Sequence, residues 1–127
     1  MTKILESFPD FKTKYEEHLM FWKDSNERTI GHDMDSFLDY ISEKLENKKE
    51  YNFEKVFDVI EQMIVCEDKD LSYATSMHFL ENLLNHSGNG YFPIESFFPY
   101  LGKESKAFCK ANEEFWGIEN SKFYEDK

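Results

Sequence analysis

Arginine is almost missing from this sequence: Arg28 is the single one, and the acids outnumber lysine plus arginine by 26 to 15, leaving a formal charge of -11. Phosphate neutralisation needs clustered cations, so neither a nucleic-acid surface nor, on the same ground, an anionic membrane surface is expected. Cysteine is scarce too. Cys66 and Cys109 stand far apart with no C-x-x-C spacing, which fits free thiols in a reducing cytoplasm better than a disulfide scaffold and leaves a lone disulfide open. Five glycines and three prolines leave long stretches without a breaker. No apolar run is long enough to span a bilayer, and Glu6 and Asp10 interrupt the N-terminal stretch. Neither a signal peptide nor a membrane helix is expected, and the chain is expected to be soluble and cytoplasmic. The nucleophile elbow, the Walker loop and the dinucleotide fingerprint do not occur, nor do the H-E-x-x-H and E-x-x-H pairs of helical metal sites. No catalytic residue, cofactor or metal is therefore expected.

What the sequence holds in quantity is aromatic: thirteen Phe, seven Tyr and two Trp among 127 residues. That length supports one core and not two, and large rings fill a core at low conformational cost. Phe11, Tyr15, Leu19 and Trp22 recur at helical steps, predicting a first helix from about Pro9 to Lys23. Asp33 reads as the N-cap of a second helix running to about Asn47, with Phe37, Leu38, Ile41 and Leu45 inward. Asn52 reads as the N-cap of a third, ending near Cys66 and carrying Phe53, Val56, Phe57, Ile60 and Ile64. Their short connection predicts an antiparallel hairpin. A fourth helix, from after Asp70 to before Gly88, is apolar around most of its circumference and reads as central. Gly88 and Gly90 suit its C-cap and the following turn. Pro93 opens a short helix with Phe97 and Phe98, and Lys103 to Trp116 forms the last, stopped at Gly117. Sustained period-two alternation is missing. The expectation is one all-α domain over residues 1–127, a compact bundle of about five to six helices with helical-hairpin packing, frayed over about 1–7 and 119–127.

Charge is unevenly placed. Residues 29–70 hold twelve acids against five lysines, a net of -7, and the rest of the chain carries only -4. At 100° per residue Asp35, Asp39, Glu43, Glu46 and Glu50 fall within roughly 80° on the second helix, and Glu54, Asp58 and Glu61 within about 60° on the third. On a hairpin these stripes would merge into one acidic face. Like charges at such spacing cost a helix roughly 0.2 to 0.5 kcal/mol per pair. A basic partner steered by that face would explain the cost, and a plain solvated face is the competing reading.

Elsewhere the fourth helix gathers Thr75, His78, Glu81, Asn82 and Asn85 on a polar arc. It is read as an alternative small polar site or as an internally bonded network. Lys106 and Lys110 flank Cys109, which would activate the thiol if it were exposed, whereas a buried Cys109 is packing alone. His18, His32 and His86 are scattered along the chain. Tyr91, Phe92, Phe97, Phe98 and Tyr100 either lid the core or offer interface anchors.

Phe79, Leu80, Glu81 and Leu83, with Asn85 one place later than the usual spacing, lead on to Leu101, Gly102, Ser105, Phe108 and Cys109, and then Phe115 and Gly117. This pattern resembles a family of small, uncharacterised bacterial helical domains similar to the acidic immunity partners of toxin systems. The resemblance carries no catalytic residue. It implies an immunity-type partner of a basic toxin, and the acidic hairpin, with catalytic motifs missing, supplies the expected contact of such a protein-binding module: Asp35, Asp39, Glu43, Glu46, Glu54, Asp58 and Glu61. Two rivals stand beside it: a small-molecule-binding or enzymatic domain around His78, Glu81, Asn82 and Asn85, and a self-associating adaptor using the aromatic segment.

Overall fold

The computed structural model describes residues 1–115, which are helical with no strand among them. Helix α1 spans Thr2–Ser7, and a 3₁₀ turn at Pro9–Phe11 leads into α2, Lys12–Phe21. Helix α3 spans Ile30–Glu46 and α4 spans Phe53–Ile64. One long helix follows in three parts: α5 (Lys69–Ala74), a π-helical stretch (Thr75–Leu80) and α6 (Glu81–Gly88). Two 3₁₀ turns, Ile94–Ser96 and Phe98–Tyr100, precede α7, Lys103–Phe115.

The all-α bundle and the central fourth helix are as the periodicity predicts. The hairpin is not. Helices α3 and α4 each pack against the long helix, chiefly its π stretch on the α3 side, and hardly touch one another. The aromatic core shows why. Phe79, in the π stretch, stacks on Phe37 of α3 at 5.7 Å and meets Phe57 of α4 edge-on at 6.1 Å. Phe11 extends the chain of rings beyond Phe37 at 5.1 Å, and Phe97 extends it beyond Phe57 at 6.2 Å. All five rings are fully buried, and each such pair adds about 0.5–1.5 kcal/mol beyond the area it buries. The connection also turns away at the end of α3, where Lys48 takes φ 54° and the Lys49 N–H donates to the Lys44 carbonyl at 2.9 Å. That is the left-handed closure usually given to glycine.

Three local expectations need correcting. Helix α3 begins earlier than Asp33, because Thr29 accepts from the His32 N–H at 3.2 Å while His32 Nδ1 accepts from the Thr29 N–H at 3.1 Å. This is a capping box with histidine where glutamate or glutamine is usual. Asp33 is instead buried in the first turn, 2.9 Å from His18 Nε2 and 3.6 Å from Arg28 Nε. Residues 1–7, expected to fray, form α1 with Ile4 fully buried. The inward face expected of the first helix is weaker than its spacing implied: Phe11 is buried in the 3₁₀ turn, but α2 itself buries no residue. The expected stop at Gly117 and the fraying of 119–127 lie outside the described residues.

Candidate functional site

The acids of α3 run along a helix whose other flanks meet α2 and the long helix, so their surroundings are those of a joint between elements. Asp35 Oδ1 accepts from Asn82 Nδ2 at 3.2 Å and lies 3.1 Å from His78 Nδ1. His78 sits tight against α3, since a Cβ on Gly31 would come within 2.5 Å of its Nε2. The polar arc is thus divided. His78 and Asn82 fasten the π stretch to Asp35, whereas Glu81 is half-buried, Asn85 is exposed, and neither makes a side-chain hydrogen bond among the described residues. A π bulge rotates the residues after it relative to a regular helix, and here that stretch carries both His78 and Phe79.

Further along α3, Asp39 is exposed beside the joint with α2. Partial dehydration, with Asp35 adding to it, pushes its carboxyl above the ordinary range against the pull of Lys14, His86 and His18. Glu43 is exposed and bridged to Lys49 at 3.2 Å, which holds its carboxyl below its usual value. Glu46 and Glu50 are exposed. Near the same end, the hydroxyls of Tyr40 and Tyr51 both donate to Asp10, and Lys44 lies 4.5 Å from each tyrosine ring centre. Dehydration opposes ionisation of Asp10, but the two tyrosine hydrogen bonds, a backbone hydrogen bond and Lys44 together outweigh it and hold the carboxyl below its ordinary value. Burial and the bond to Asp10 push the Tyr40 phenol up to about 12.

The acids of α4 meet different neighbours. Glu61 accepts from the Glu104 N–H at 2.7 Å, the Ser105 N–H at 2.9 Å and the Ser105 hydroxyl at 2.8 Å. It therefore caps α7 from outside, satisfying donors that a helix N-terminus leaves open. Gly102 makes the approach possible, since a Cβ there would meet the Glu61 carboxylate at 2.5 Å. Glu54 and Asp58 are exposed, and Asp58 accepts from Gln62 at 3.1 Å.

The seven acids named from the sequence therefore do not form one face. Asp35 and Asp39 line a hollow of about 350 Å³ between α2 and α3, with Lys14, Glu17, His18, Phe21, Trp22, His32 and Ser36. Glu54, Asp58 and Glu61 line another of about 750 Å³ between α4 and the start of α7, with Asn52, Lys55, Phe57, Pro99, Tyr100 and Gly102. Glu43 and Glu46 line neither.

Sequence spacing missed much of the first hollow. Its histidines looked scattered, yet all four of the chain's histidines gather on α3: His18 at Asp33, His32 in the helix's own cap, His78 at Asp35 and His86 at Ser42, 3.1 Å away. Met20 and Phe21 had a visible signal, an apolar pair in a helix too polar to bury much, and they are 63% and 80% exposed. Trp22 stacks on His32 at 4.4 Å. The segment from Tyr91 to Tyr100 is mainly core, with Phe92, Phe97 and Phe98 buried and only Tyr91 and Tyr100 substantially exposed among its rings.

Both cysteines are free, which resolves the disulfide left open above. Cys109 is fully buried, and burial together with Glu113 pushes its thiol far up, so the flanking lysines do not activate it. Among the described residues no three of His, Cys, Asp and Glu gather as a metal site requires, and no helix is long and apolar enough to cross a membrane. Neither a curated protein nor a solved structure matches the chain. A family model described as a domain of unknown function, DUF7674, matches residues 1–117, and the chain belongs to that family.

Proposed function

We propose that the chain is an acidic protein-binding module, most specifically an immunity-type protein of a bacterial cytoplasm that occupies a basic surface on a toxin partner. It acts by occupancy, without turnover or cofactor. One observation carries this reading: Asp39, Glu46, Glu54 and Asp58 stay exposed on α3 and α4 with no lysine or arginine in ion-pair reach among the described residues, and of the seven acids Glu43 alone has a lysine bridge. A fold that leaves such carboxylates unneutralised bears their repulsion, and a complementary basic partner converts that into faster encounter. The partner class is taken from the resemblance of the Phe79–Gly117 pattern to small helical domains that themselves look like immunity proteins.

Glu61 is set apart, since its carboxylate caps α7, and Asp35 is engaged through one oxygen only. The test is affinity capture from the native cell, followed by association kinetics of the captured basic protein with a D39K/E43K/D58K variant. Slowing by about tenfold or more, with a flattened salt dependence, supports the reading. An on-rate equal to that of the unaltered chain overturns it.

A further inference from the structure

Two hollows on this molecule combine carboxylates with aromatic walls, and they differ in what their groups already do. In the hollow beside α7, Glu61 is fully engaged in capping, Phe57 is buried, and Tyr100 lies parallel to it at 6.4 Å. In the hollow between α2 and α3, the apolar wall is Phe21, 80% exposed, set edge-on to Trp22 at 5.5 Å. Helix α2 buries no residue of its own, so Phe21 contributes little to the core. Exposed rings next to charge are the usual anchors of protein interfaces.

The charges lining this hollow are three acids, Glu17, Asp35 and Asp39, against one cation, Lys14, with His18 and His32 beside them. Both bonds to Asp35 fall on Oδ1, so its Oδ2 lies outside them. We propose that this hollow seats one segment of the basic partner, an apolar side chain packing against Phe21 and Trp22 and a neighbouring arginine or lysine lying among Glu17, Asp35 and Asp39. The assignment rests on the binding reading above and adds to it the seat of the contact and the chemistry of the segment. About 350 Å³ is room for one or two side chains. Partial dehydration, with Asp35 adding to it, raises the Asp39 carboxyl, and a cation seated there favours its ionised form.

The probe is a set of three short synthetic peptides titrated into the ¹⁵N-labelled full chain: one of arginine and phenylalanine, one of arginine and serine, one of glutamate and phenylalanine. The expected result is saturable binding of the arginine–phenylalanine peptide alone. Shifts should centre on the Trp22 indole and the amides of Asp35 and Asp39, and Phe21→Ala and Asp39→Asn should each weaken binding about tenfold. Phe21 is too exposed for its loss to unfold the chain, and retained dispersion of the spectrum verifies that. Equal binding of the arginine–serine peptide overturns the apolar half of the assignment. Shifts confined to Glu54 and Asp58, with both variants within about twofold of the unaltered chain, overturn the hollow as the seat while leaving the acidic module standing. Failure of both arginine peptides to bind overturns the hollow and the binding reading together.

Discussion

The α2–α3 hollow and the α4–α7 hollow are lined by the same kinds of residue and do different work. In the second, a carboxylate reaches across to the next helix and is consumed: Glu61 accepts three hydrogen bonds at the start of α7, and Gly102 is held small to let it in. In the first, Asp35 holds His78 of the π stretch through one oxygen, but Asp39 and Glu17 remain exposed beside the exposed ring of Phe21. An acidic residue thus acquires its role from the element it faces, and the number of acids on a helix does not separate a fastening from a contact surface.

Substitutions can break that comparison, and the largest effect falls on the fastening. Glu61→Ala removes a charge-assisted cap and leaves α7 donors open, so urea unfolding should show a loss of about 2–3 kcal/mol; a loss under about 0.5 kcal/mol would put Glu61 back among the surface acids. Next is Gly31→Ala, which drives His78 off Asp35 and should cost about 1–3 kcal/mol. In a His78→Ala background most of that cost should disappear, and a double-mutant cycle measures the coupling directly. A smaller effect concerns Asp10, which ties α3 to the segment before α4 through Tyr40 and Tyr51. Its carboxyl is lowered in the folded chain, so its contribution is present above the unfolded value near pH 4 and fades as pH falls through the folded one. Stability of the unaltered chain and of Asp10→Asn should therefore converge in acid. Smallest is Asp39→Asn. With its carboxyl raised in the folded state, ionised Asp39 works mildly against folding, and the variant should keep or slightly gain stability at neutral pH, within about 0.5 kcal/mol.

Much of the architecture was legible from residue patterns. The stripes of α3 and α4 and the cap at Asn52, whose side chain accepts from the Lys55 N–H, follow from local rules. The central position of the Lys69–Gly88 helix followed from its apolar circumference. Other features depend on partners distant in sequence. Nothing in the spacing of Thr75–Leu80 announces a π stretch, and a short α3–α4 loop reads as a hairpin unless the left-handed Lys48 is foreseen. The capping box at Thr29 escaped because His32 fills a place where glutamate or glutamine is expected. The same holds for the site. The acids were visible, but which of them the fold consumes depends on α7 and the π stretch packing against them, and the exposure of Phe21, signalled by an apolar pair in a polar helix, follows from α2 burying no residue.

The division between fastening and contact is tested most directly by measuring binding of the arginine–phenylalanine peptide to Glu61→Gln and Asp39→Asn side by side, under conditions where both are folded. The account predicts an unchanged dissociation constant for Glu61→Gln and one about tenfold weaker for Asp39→Asn. Weakening by Glu61→Gln with Asp39→Asn unaffected would contradict it.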